Sequence, residues 1–277
     1  MKHTIDLGKL NLRTDLALDN VDSIIKKENI KTYKNNNITV TDIYIDSDSS
    51  KIINKHIGNY ITLEFDDVTD IDNRTSITNE LQSVLNKLIN IDKDTLVLIV
   101  GLGNRDVTPD SLGPKVVEKI VVTNHLYELD MLDDDYYRVC SIAPSVTGVT
   151  GIETSTIIKS IVSNIKPGLV IIVDSLASSS FERLCKTIQI TDTGINPGSG
   201  IGNNRKELSK DTLNVPVIAL GIPTVIDLQN IINNEDNFIV TPNEIDYLIQ
   251  CFKEVISNSL NELFTKNSWN SCTYILK

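Results

Sequence analysis

Short, almost unbroken apolar stretches recur along the chain and limit what it can fold into: Leu96-Val97-Leu98-Ile99-Val100, Leu169-Val170-Ile171-Ile172-Val173 and Val217-Ile218-Ala219-Leu220. Each is too short for a core helix, and each is followed by glycine or aspartate. Each therefore reads as a strand buried on both faces. Amphipathic stretches lie between them and predict helices over 111–122 and 153–165. Upstream, Ile77, Leu81, Val84, Leu85 and Leu88 recur at helical spacing behind Thr75 or Ser76 as the expected N-cap. Further strands are expected over 38–40, 42–45, 60–65, 138–143 and 186–190. The last helix is expected to open on Thr241-Pro242-Asn243-Glu244, a capping box with proline at the first helical position. The predicted fold is α/β, a single domain with a mostly parallel sheet, helices on both faces, and residues 1–30 as an N-terminal arm.

A length of 277 residues accommodates one such domain with ample core. The formal charge of -11 repels phosphate backbones and anionic lipid, which argues against direct nucleic-acid or membrane partners. No apolar run approaches bilayer length and Met1-Lys2-His3-Thr4-Ile5-Asp6 has no hydrophobic secretory core, so a soluble cytoplasmic protein is expected. Cys140, Cys185, Cys251 and Cys272 form no C-x-x-C, and His3, His56 and His125 form no H-E-x-x-H. Reduced thiols, no metal and no cofactor are the resulting expectations.

Chemistry is concentrated where strands end. Open α/β sheets bind ligands at the carboxyl edge, and a carboxylate there is costly to desolvate without a partner or a task. Asp174 directly follows Leu169–Val173, and Asp110 follows the loop that leaves the strand at 95–100. Adjacent at one sheet edge, two such acids can share a proton, one serving as base toward water and the other as acid toward the leaving amine. Gly101-Leu102-Gly103-Asn104 offers a dinucleotide loop, but position 106 is Asp where the full G-x-G-x-x-G has glycine, and Asp110 would repel a pyrophosphate. Gly198, Gly200 and Gly202 punctuate a loop whose backbone amides can hold a carbonyl oxygen or an extended peptide. Asp192 and Glu153 complete the candidate substrate-binding set, although a first-turn carboxylate such as Glu153 is more often a cap. Asp192-Thr193-Gly194 also matches the triplet of pepsin-like proteases, a coincidence, since those enzymes are all-β.

Together, Arg13–Ala17, Gly101–Lys115, Gly148–Thr154, Ile171–Ala177, Ile188–Arg205 and Pro216–Val225 resemble, in one order, the germination protease family of spore-forming Firmicutes. The resemblance implies an α/β fold similar to hydrogenase-maturation endopeptidases and an atypical aspartic-type endopeptidase that degrades small acid-soluble spore proteins in the spore core. The family's two essential aspartates match Asp110, in T-P-D-x-L-G-P-K, and Asp174, in I-x-x-D-x-L-A. The chain departs from the family at Pro144-Ser145-Val146-Thr147-Gly148, where Pro-Gly-Val-Met-Gly is usual, and at Ser175, where alanine is usual. Its stretch between Asp227 and Thr241 is also shorter than in Bacillus members.

The resemblance further implies a zymogen. Family substrates are cut after the acid of a segment like T-E-[FI]-A-S-E, and Thr14-Asp15-Leu16-Ala17-Leu18-Asp19 follows the same order. Self-cleavage is expected between Asp15 and Leu16, leaving residues 1–15 as propeptide and 16–277 as a peptidase domain that forms a homo-oligomer. Two alternatives stay open: a metal-dependent endopeptidase of the maturation type, and a nucleotide-binding regulatory module built on Gly101–Asn104.

Overall fold

The computed structural model describes residues 14–20, 25–53, 55–198, 205–227 and 239–265. A nine-stranded sheet runs through it. In chain order its elements are β1 (Ile30–Asn35), β2 (Ile38–Ile45), β3 (Gly58–Glu64), α1 (Ile71–Leu88), β4 (Leu96–Gly101), α2 (Leu112–Val117) and β5 (Arg138–Ile142). There follow α3 (Thr154–Ile165), β6 (Leu169–Ala177), β7 (Thr187–Thr191), β8 (Val217–Asp227), β9 (Ile239–Val240) and α4 (Ile245–Phe264). The spatial order is β1-β2-β3-β7-β8-β6-β4-β5, with β9 on β8.

The expectation of a mostly parallel sheet is corrected. Parallel pairing is confined to β5, β4, β6 and β8, while β1, β2, β3 and β7 form an antiparallel half that joins at β8. The tight return at Asn36 and Asn37 makes β1 and β2 antiparallel, and β2 and β3 pair antiparallel across a longer connection that contains a helix over Ser47–Ile53. Helices do cover both faces. Alternate residues Ile171 and Val173 of β6 pack with Leu81 and Leu85 of α1 and Phe252 and Ile256 of α4. Val170 and Ile172 face the other way, onto Ile158 and Val162 of α3. A third cluster, Ala17, Ile25, Ile43, Ile45 and Tyr60, seats the N-terminal segment on the antiparallel half.

Several local expectations change. The helix α1 begins before Thr75 and Ser76, at Ile71, because the Asp70 side chain accepts the Asn73 N–H at 2.9 Å and caps it. The helix expected over 111–122 stops at Val117, where Asn261 of α4 receives the Val121 N–H and donates to the Lys119 carbonyl, holding the chain in a turn. No capping box forms at 241–244: Thr241 Oγ1 donates to the Thr224 carbonyl instead, and α4 starts at Ile245. Residue 30, assigned to the arm, opens β1. Cys140, Cys185 and Cys251 are free thiols; Cys272 lies outside the described residues.

Candidate active site

The first acid is held by the turn after β4. As the chain leaves the sheet, the Leu102 N–H donates to the Val173 carbonyl of β6 at 2.8 Å. Thr224 of β8 then ties down the returning turn through the Pro109 carbonyl at 2.7 Å. Gly103 has φ +112°, and a Cβ there would overlap the Asp110 carbonyl, so only glycine allows the loop to fold back this tightly. The Asn104 N–H donates to Asp110 Oδ2 at 2.8 Å. The sequence that offered a phosphate loop is thus a carboxylate clamp, its backbone donor taken by Asp110. Burial raises the Asp110 carboxyl above the ordinary range, opposed by the Asn104 N–H and the Arg205 guanidinium.

Asp174 lies within β6 rather than after it, because β6 continues to Ala177 alongside the long β8. It is 4% exposed. Strand alternation puts it on the same face as Val170 and Ile172, and its partner across the sheet is Gly221, which is paired on its other side with Gln189 of β7. Asp174, Gly221 and Gln189 therefore form a row across three strands, with the middle position bare and the outer two about 10 Å apart. Burial pushes the Asp174 carboxyl well above its usual range, and the charges of Asp110 and then Asp15 push it further; the Ser175 N–H, 2.8 Å from Oδ1, and Arg205 oppose this. The Asp110 charge thus reaches Asp174 and opposes its ionisation.

Beside this row is a cavity of about 620 Å³ lined by Thr14, Asp15, Lys55, Gln189, Arg205 and Gly221, among others. The segment Thr14–Asp19 docks along it. Asp15 pairs with the end of β6 in both directions: its N–H donates to the Ala177 carbonyl at 3.0 Å, and the Ala177 N–H donates to Asp15 Oδ2 at 2.9 Å. The Asp15 carbonyl accepts from Lys55 Nζ at 2.8 Å and Gln189 Nε2 at 3.1 Å. Gln189 Oε1 accepts the Ala17 N–H at 2.6 Å. Leu16 and Ala17 are fully buried. Asp19 is clamped by Arg183 at 2.7 Å, by the Ser179 N–H at 3.0 Å and by Thr14 Oγ1 at 2.6 Å. Burial acts to raise the Asp19 carboxyl, but the Thr14 and Ser179 hydrogen bonds and Arg183 outweigh it and hold it below the ordinary range.

The other residues selected from the sequence lie apart from these contacts. Asp192 spends both carboxylate oxygens on Asn59, at 2.9 Å from its backbone N–H and 2.6 Å from its side-chain amide, latching β3 to the end of β7. Glu153 precedes α3 and accepts from Thr147 Oγ1 at 3.3 Å. Gly198 occupies a turn with φ +74°; Gly200 and Gly202 lie outside the described residues. Lys55, Gln189 and Arg183 were missed. Gln189 carried a signal: in Thr187-Ile188-Gln189-Ile190-Thr191 the isoleucines supply one apolar face, and the polar face of a strand this buried needs partners. Among the described residues no group of three or more His, Cys, Asp or Glu side chains is placed to hold a metal ion, and no helix is long and apolar enough to cross a membrane.

The family model for germination proteases matches residues 9–239, which contain both aspartates and the docked segment. The chain belongs to the germination protease family. It is an endopeptidase of that family and is 38% identical to the germination protease of Clostridium perfringens strain SM101, over 91% of this chain and 94% of that one. It is 43% identical to that of Clostridium tetani, over 83% of this chain and 75% of the relative. It is 42% identical to that of Bacillus cytotoxicus, over 87% and 70%. Among solved structures, a NiFe hydrogenase maturation protease, HycI, from Thermococcus kodakarensis aligns at 19% identity with a TM-score of 0.40, over 66% of this chain and 99% of that one.

Proposed function

We propose that the chain is the precursor of a spore-core endopeptidase that degrades small acid-soluble spore proteins during germination, and that it activates itself by cutting between Asp15 and Leu16. The observation that carries this reading is the seating of Thr14–Asp19 beside Asp174, with the Asp15 carbonyl hydrogen-bonded and both flanking acids held. An extended spore protein with the same acid, apolar, alanine, x, acid order would use the same contacts. Asp110 and Asp174 activate water as a coupled pair. Asp174, the more strongly raised, keeps the shared proton, and Asp110, clamped by the Asn104 N–H, is the base.

The test is the intact mass of purified full-length wild type and Asp174→Asn after incubation at mildly acidic pH. Loss of residues 1–15 from the wild type alone is the expected outcome, and Asp110→Asn should match Asp174→Asn. Unchanged wild-type mass, or equal loss in the variants, would remove the self-cleavage reading.

A further inference from the structure

Two side-chain donors converge on one backbone carbonyl, that of Asp15. Its oxygen has two lone pairs, and Lys55 Nζ at 2.8 Å and the Gln189 amide at 3.1 Å occupy them; burial pushes the Lys55 pKa down, opposed by the Asp15 and Asp19 charges, which favour the ammonium. These residues come from distant places, Lys55 from the approach to β3 and Gln189 from the centre of β7. Gln189 uses its other amide atom on the Ala17 N–H, so it brackets Leu16 and fixes the Asp15–Leu16 peptide against the sheet. Gly221, bare of side chain, separates this bracket from Asp174 in the strand row.

We propose that Lys55 and Gln189 form the oxyanion cradle of this peptidase, Lys55 supplying the charge and Gln189 the alignment. This rests on the reading of Asp15–Leu16 as the scissile bond. Water adds to the Asp15 carbonyl carbon and gives one proton to the ionised member of the Asp110–Asp174 pair. The carbonyl electron pair moves onto the oxygen, toward which both donors already point, at 2.8 and 3.1 Å from the ground-state carbonyl. Collapse reforms the C=O and breaks the C–N bond, and the protonated carboxyl gives its proton to the departing Leu16 nitrogen. The products are a carboxyl group at Asp15 and an amine at Leu16, and the aspartate pair ends with one proton, as it began. A lone ammonium on a ground-state carbonyl is a modest contact; on a developing oxyanion out of bulk water it is far stronger, which is what selective stabilisation of a transition state needs.

The experiment is a time course of intact mass for the full-length wild type, Lys55→Met, Lys55→Arg and Gln189→Glu. Lys55→Met should slow release of residues 1–15 by about 100-fold or more. Lys55→Arg should recover part of the rate, because a guanidinium also donates. Gln189→Glu keeps the acceptor for Ala17 but loses the donor, and should also be slow. Amide exchange of Ala17, compared between Asp174→Asn and Asp174→Asn/Lys55→Met, reports whether the segment stays docked; unchanged protection is expected. Cleavage of Lys55→Met within about threefold of wild type, or loss of Ala17 protection on removing Lys55, would overturn the proposal and leave self-cleavage intact. A wild type that never loses residues 1–15 would instead overturn the scissile-bond reading and the cradle with it.

Discussion

Asp174 is a carboxyl that the folded protein prefers to keep protonated, and that preference has a sign in stability. Its folded-state pKa is raised by burial and by the Asp110 and Asp15 charges, so folding is favoured most when the group is protonated in both states, below the ordinary carboxylate pKa of about 3.9. The stabilisation is lost as pH rises through the raised value. Asp174→Asn removes a charge that must otherwise form in a buried site. The variant should therefore melt above the wild type at neutral and alkaline pH and converge with it toward acid pH, read by thermal melts across that range. A wild type that melts higher at neutral pH would contradict the assignment. At this scale the two candidate acids were legible because both lie where apolar strands approach the carboxyl edge of the sheet, a costly place for a carboxylate without a partner or a task. Lys55, Gln189 and Arg183 were not, because their meaning lies in what they face. Lys55 donates to a residue 40 positions upstream in the sequence, and Gln189 reaches 174 positions to the same carbonyl.

Elements were read well where one face is apolar and poorly where local chemistry decides. Strands β3, β4, β5 and β7 fall within a residue or two of their expected bounds, because strands buried in a sheet leave short, bounded apolar or alternating runs. The edge strand β1 escaped because five of its six residues are exposed and carry no such pattern. Helix ends were misplaced because Asp70, Asn261 and Thr241 chose partners that spacing alone does not specify. One departure from the family pattern gains a physical reading at this level. Ser145, where the family usually has glycine, has φ +63°, and its carbonyl is fixed by Thr154 Oγ1 at 3.1 Å, so the turn into α3 holds a side chain in a left-handed conformation. Ser145→Gly should raise stability by about 1 kcal/mol, less the added entropy of the unfolded chain, as measured by denaturant unfolding. A loss of more than that amount would show that the hydroxyl, and not the backbone, sets the turn.

Across the whole molecule, the change from parallel to antiparallel pairing and the cleft coincide. The parallel half delivers Asp110 and Asp174 at its carboxyl edge, and across the seam at β8 the cavity is lined by Gly221 of β8, Gln189 of β7 and Tyr60 of β3. The expected mostly parallel sheet did not include the antiparallel half that brings Gln189 and Tyr60 to the cavity, so the correction in topology also bears on the site. The docked segment is anchored in two unlike ways: Leu16 and Ala17 are buried without remainder, and Asp19 is clamped by Arg183 and Ser179 on the far side of the bond to be cut. The proposed cut between Asp15 and Leu16 would sever only the link to residues 1–15 and leave both anchors in place. On the proposed cut the new amino terminus would lie inside the groove as a plug, and the enzyme would have to shed its own severed strand before a foreign chain could enter. Processing and competence should separate in time: peptide hydrolysis in trans should lag the change in intact mass, and Arg183→Met should shorten the lag. Turnover rising in step with the mass change would mean that the groove clears at the moment of cutting.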